Sequence, residues 1–155
     1  MRLGFIAALV IAPFVFTQAQ GNSAQQGPVY KSAAELESEI LLKPGQSAHV
    51  TPVAVGEPGQ LTQIMRNGPG PSEIHTDKEH EHLWVTTAGE ATITMGGVLE
   101  DKEQSETRSS DWFGSKITGG RTVVVKPGDI VFIPAGTPHQ VVPRGTVTFL
   151  AISRK

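Results

Sequence analysis

A chain of 155 residues with a formal charge of −2 suits one domain and carries no basic excess to hold nucleic acid. The absence of cysteine excludes a disulfide framework, thiolate zinc sites, a cysteine nucleophile and a lipidated-cysteine anchor. Stability must come from an ordinary apolar core, which a domain of roughly 130 residues can build.

The N-terminus has the pattern of a targeting signal. Arg2 is a minimal positive segment, Leu3 to Phe16 is almost wholly apolar, and Thr17 and Ala19 are small residues three and one before a possible cut. A membrane span needs about 20 apolar residues, and this run is shorter and holds Pro13. Residues 1–19 therefore read as a cleaved signal peptide, leaving a secreted or periplasmic protein with no membrane association. Residues 20–46 read as a disordered leader, small and polar up to Pro28, followed by a short helix. Ser32 and Glu35 have capping-box spacing, and Leu36, Ile40 and Leu41 recur at helical intervals. The expected helix runs from about Ala33 to Leu42, ends at Pro44-Gly45 and lies across an open face or end of a β domain.

From residue 47 onward the pattern changes to short strands punctuated by Gly and Pro. Expected strands are Ala48–Val55, Gln60–Arg66, Glu73–His75, Leu83–Thr87, Ala91–Met95, Gly97–Leu99, Arg121–Val125, Ile130–Ile133, His139–Val142 and Thr146–Ile152. Many short strands at close spacing point to an all-β antiparallel sandwich or barrel. Glu100 to Ser110 reads as a solvated loop. Trp112 and Phe113, beside Gly114, are expected to cover the side or rim of the barrel.

Two stretches carry chemistry. In the first, His75, His80 and His82 fall within eight residues, with no His-Glu-x-x-His pattern to suggest a helical zinc site. On extended chain His75 shares a face with Asp77, and His80 with His82. A turn at Asp77-Lys78-Glu79 would let His75 and His82 meet inside the barrel, whereas His80 alone reads as part of a polar loop. Glu73, Glu79 and Glu81 lie near in sequence without a clear acid/base role. In the second stretch, Gly128 to Pro143, a Pro127-Gly128-Asp129 turn leads into the apolar run Ile130–Ile133, read as a buried strand. Pro134 stops that strand, Gly136 allows a second bend, and His139 is aimed inward, opposite the first two histidines. His75, His82 and His139, with Asp77 as ligand or orienter, make an N/O set for one divalent transition metal: Zn, Fe, Mn, Ni or Cu.

The spacing Gly128, five residues, Pro134, one, Gly136, two, His139 resembles the second motif of the cupin superfamily. Pro143 stands where that family usually has Asn. The first cupin motif, His, one, His, three or four, Glu, six, Gly, is matched in spacing by His75, Asp77, His82 and Gly89, with Asp77 in place of the second histidine and His82 in place of the glutamate. The chain thus resembles a small single-domain secreted bacterial cupin over roughly residues 47–152, within a domain read as residues 47–155. The resemblance implies a double-stranded β-helix jelly-roll barrel and a pocket between its sheets, with Met65, Trp84, Met95, Phe132 and the histidines as candidate lining. It also implies pairing as a homodimer. Three functions stay open: a metal-dependent enzyme on a small polar organic molecule, such as a dioxygenase or isomerase; a non-enzymatic module binding a sugar or small acid; or a structural domain whose histidines only hydrogen-bond.

Overall fold

The computed structural model describes residues 29–55, 59–76 and 81–154. The expected signal peptide and leader lie outside them, as do Asp77 and His80. Among the described residues, no helix is long and apolar enough to cross a membrane.

The chain runs through helix α1 (Ala33–Glu39), then β1 (Ala48–Val55), β2 (Gly59–Arg66), β3 (Ser72–His75), β4 (His82–Ala88), β5 (Ala91–Met95) and β6 (Val98–Glu100). It continues through β7 (Glu103–Gln104), β8 (Asp111–Gly114), β9 (Lys116–Thr118), β10 (Arg121–Val125), β11 (Ile130–Ile133), β12 (His139–Pro143) and β13 (Val147–Arg154). A five-stranded sheet has the order β1-β2-β13-β4-β11, and a six-stranded sheet has β10-β5-β12-β3-β8-β7. The pairings are antiparallel, as for β4 with β13 and β12 with β5. This is an all-β jelly roll with one short N-terminal helix.

The core forms where the inward positions of the two sheets meet. Trp84, Ile93, Val125, Val131, Ile133, Val141, Val147 and Phe149 are buried together. Each large apolar side chain so buried stabilises the fold by about 1.5–3 kcal/mol. Period-two alternation puts these residues on one face and leaves their neighbours outside. The Ile130–Ile133 run is therefore not buried as a whole. Val131 and Ile133 point inward, while Ile130 and Phe132 are 66% and 56% exposed, because β11 is the edge of its sheet and its outer face meets solvent.

The same parity corrects the expected pocket lining. Phe132 faces outward, and Met65 lies on the outer face of the five-stranded sheet, in a cavity shared with Leu36 and Ile40. Met95 packs against the core and does not reach the pocket described below. Trp84 does line it.

Helix α1 begins as its capping box requires: Glu35 N–H donates to Ser32 Oγ, and the Glu35 carboxylate accepts from Ser32 N–H. It ends at Glu39, short of Leu42, because Ile40 is extended (φ −112°, ψ 101°) and fully buried. The helix lies across the outer face of the five-stranded sheet, as expected, with a cavity of about 400 Å³ beneath it. The segment read as a solvated loop contains β7, an edge strand paired with β8. Asp111–Gly114 is itself a strand, paired with β3. Gly89 closes the β4–β5 turn at φ 70°, where a Cβ would fall 1.9 Å from the carbonyl oxygen of Thr146.

Candidate metal centre

Three strands bring the histidines together from well-separated parts of the chain. His75 ends β3, His82 begins β4 and His139 begins β12. His82 is opposite Ile133 in one pairing and Ser153 in the other. His139 is opposite Glu73 and Met95. The turn before His139 is fastened at three points. Gly136 N–H donates to the His75 carbonyl at 2.6 Å, Gly96 N–H to the Pro138 carbonyl at 2.8 Å, and Thr137 N–H to the Pro134 carbonyl at 3.2 Å. Gly136 makes this turn at φ 76°, which a residue with a side chain adopts only under strain.

The ligand atoms of His75, His82 and His139 all lie within 4.8 Å of one another. Ring centroids are 5.1 Å apart for His75–His82, 5.4 Å for His75–His139 and 5.2 Å for His82–His139. Hydrogen bonds set two of the tautomers. His139 Nδ1–H donates to the Thr137 carbonyl at 3.0 Å, and His75 Nδ1–H to Asp111 Oδ1 at 2.9 Å. Both rings therefore present a lone pair on Nε2 when neutral. Asp111, 7% exposed, is braced by Ser110 Oγ at 3.1 Å and Arg108 Nη1 at 3.4 Å. Trp84, two residues after His82 on the same face, stacks on its ring at 5.2 Å with 29° between the planes.

A fourth group joins the three. Glu73 shares a strand face with His75, and its carboxylate oxygens lie 3.8 Å from His75 Nε2 and 3.6 Å from His139 Nε2. Burial pushes the Glu73 carboxyl above its ordinary value, partly opposed by the charges of His75 and Arg66. Burial likewise pushes His139 down to about 4, partly opposed by its bond to Thr137. The His139 imidazole is therefore neutral, and able to ligate, at any pH near neutrality.

These features fit a metal. His139 Nε2 is buried with no hydrogen-bond partner among the described residues, a costly arrangement unless something accepts its lone pair. Three imidazoles and a carboxylate form a donor set suited to borderline divalent metals, and the triad could hold one ion. Glu73, His75 and His82 open into a cavity of about 130 Å³ whose other walls include Val50, Ile64, Val141 and Phe149.

Glu73 and Asp111 were not assigned by the sequence reading. Glu73 could have been found, since it stands two residues before His75 on an expected strand. Asp111 could not: it reaches His75 only through the β3–β8 pairing, across 36 residues.

Comparisons with known proteins agree with the fold. Residues 114–153, which include His139, match the family model described as a cupin domain. Three solved structures share the fold. One is an uncharacterized conserved protein with a double-stranded β-helix domain from Klebsiella pneumoniae, with TM-score 0.55, 13% identity and coverage of 83% of this chain and 90% of that one. Another is a cupin-2 domain containing protein from Shewanella frigidimarina, with TM-score 0.54, 12% identity and coverage of 81% and 94%. The third is a cupin superfamily protein from Desulfitobacterium hafniense, with TM-score 0.51, 18% identity and coverage of 77% and 86%. At these identities the likeness is one of fold. No curated protein sequence matches the chain.

Proposed function

We propose that this chain, a cupin-superfamily protein by its fold and by the match over residues 114–153, binds one divalent transition metal and uses it to hold a small polar organic molecule in the pocket. His75, His82 and His139 would be the ligands, with Glu73 as the carboxylate arm. The observation that carries this reading is the buried, unpartnered Nε2 of His139, set within a cluster of three imidazoles whose ligand atoms are all within 4.8 Å. Histidines kept only for hydrogen bonding would leave no such atom orphaned.

A metal bound here would supply Lewis acidity and open positions for a substrate oxygen. The chain's own residues do the rest. Asp111 and the Thr137 carbonyl fix the orientation of two imidazoles. Trp84 and Phe149, with ring centroids 5.5 Å apart, form an apolar wall that limits water. Glu73 would complete the donor set as a carboxylate, an arrangement suited to turnover of the dioxygenase or isomerase kind and, as the second reading, to binding of a sugar or small acid. Export forms part of the same proposal: cleavage after Ala19 would give a mature chain starting at Gln20, which N-terminal sequencing from a secreting host would read directly.

Elemental analysis of the purified mature chain, before and after EDTA, tests the metal assignment. One equivalent of a transition metal, removed by EDTA with the β circular-dichroism spectrum retained, is the expected result. Substoichiometric metal after reconstitution with Zn and Mn would reject it.

A further inference from the structure

Arg66, the last residue of β2, lines the same pocket as Glu73, His75 and His82. Its guanidinium rests against the bare backbone of Gly70, where a Cβ would stand 3.3 Å from both Cζ and Nη1. Gly70 is itself held in place. Its N–H donates to the Val141 carbonyl at 2.7 Å, and its carbonyl accepts from Gln140 Nε2 at 3.1 Å. A side chain at position 70 would crowd the guanidinium, so this glycine leaves room for a cation at the pocket wall. The Arg66 guanidinium makes no hydrogen bond or ion pair among the described residues, although it lies near enough to Glu73 to act on its charge. The Glu73 oxygens are turned toward the histidines instead. The neighbouring walls, Val50, Ile64, Val141 and Phe149, offer the guanidinium no acceptor side chain.

We infer that Arg66 is the carboxylate-binding residue of this pocket, and that the molecule it takes is a small 2-hydroxy or 2-oxo acid. This inference rests on the metal-site reading for the second contact, the hydroxyl or keto oxygen at the ion. The guanidinium presents several donors in a fixed fork that matches a planar carboxylate with two parallel bonds. A divalent ion outweighs the single Glu73 carboxylate, so a loaded pocket is cationic and Arg66 adds to its pull on anions. A neutral sugar would leave that cation without a counter-charge. The cavity of about 130 Å³ restricts the acid to a few carbons.

The test is calorimetric titration of the zinc-loaded mature protein with lactate, with its neutral counterpart lactamide, and with inorganic phosphate. Lactate should bind at least roughly tenfold more tightly than lactamide or phosphate, because only lactate offers both the planar anion and the neighbouring hydroxyl. Arg66→Gln should bring lactate down to the lactamide level with zinc affinity unchanged. Arg66→Lys should recover part of the loss, as a charge without the fork, and it decides the matter should the glutamine variant fail to fold. Equal binding of lactate and lactamide, tighter binding of phosphate, or lactate affinity unaltered in both variants would overturn the inference. Zinc binding is read in the same samples, and lactate is also titrated into chelated protein. Arg66-dependent lactate binding without zinc uptake would sink the metal centre and spare the carboxylate subsite. Zinc uptake with Arg66-independent lactate binding would do the reverse.

Discussion

The Glu73 carboxylate lies 3.6 Å from Nε2 of His139, the buried nitrogen that has no hydrogen-bond partner among the described residues. Its other oxygen faces His75 Nε2 at 3.8 Å. One acid thus addresses two of the three imidazoles, from the position where β3 pairs with β12. Glu73→Gln should weaken metal binding by roughly 10–100-fold while keeping the fold. In the chelated protein the sign is different. The folded-state carboxyl is raised above 4.5 by burial, so stability falls as pH rises past 4.5 and the buried carboxylate ionises. Between pH 5 and pH 8 the buried His139 contributes in the opposite direction, so thermal unfolding should show the parent gaining less stability toward pH 8 than Glu73→Gln. Unchanged metal affinity in Glu73→Gln would remove Glu73 from the site.

Asp111 acts through His75, whose Nδ1–H it accepts at 2.9 Å. Asp111→Ala frees the ring to turn and should cost roughly 10–100-fold in metal affinity. Asp111→Asn, which keeps an acceptor oxygen, should restore part of it. A purely structural Asp111 would lower the melting temperature in both variants and leave metal affinity alone.

His139 sets an acid limit on the metal-free protein. Its folded-state value is about 4 against an ordinary 6.5, so the unfolded chain binds the extra proton first as pH falls. The stability this neutral buried imidazole contributes is complete above pH 6.5 and is lost between 6.5 and about 4, on the order of 3 kcal/mol in all. Urea midpoints of chelated protein at pH 7 and pH 4.5 should differ more in the parent than in His139→Asn. Equal differences would mean that His139 is not the titrating group.

Backbone geometry gives a prediction independent of metal. Gly89→Ala places a Cβ 1.9 Å from the Thr146 carbonyl oxygen at φ 70° and should cost about 3 kcal/mol or more, or abolish folding. Gly128→Ala, also at positive φ (92°) but facing open space, should cost only about 1–2 kcal/mol. Denaturant unfolding of the two variants measures the contrast, and equal losses would contradict it.

Much of the fold was legible because the strands obey simple punctuation. Ala48–Val55, Ala91–Met95, Arg121–Val125 and Ile130–Ile133 form over the residues expected. Less legible was which face each strand buries. The run Ile130–Ile133 is apolar throughout, so composition could not show that Phe132 points to solvent at a sheet edge. β7, β8 and β9 were missed because strands of 2, 4 and 3 residues are too short to show alternation and are held by pairing with their neighbours. In the site, rigid Pro and Gly turns made His139 readable, and parity made His75 and His82 readable. Asp111 and Arg66 arrive through pairings and packing that local spacing does not encode.

The most direct measurement is zinc and manganese titration of four alanine variants, His75, His82, His139 and His49, in the purified mature protein. His49 is absent from the His75–His82–His139 group, and its neighbour Val50 is the β1 residue that lines the pocket. Each of the three site variants should lose at least roughly a hundredfold in affinity, with the parent taking up one ion per chain and His49→Ala behaving as the parent. His80→Ala, measured alongside, should be mild. Retention of parental affinity by all three site variants, or a requirement for His80 with His82 dispensable, would contradict a metal centre built on His75, His82 and His139.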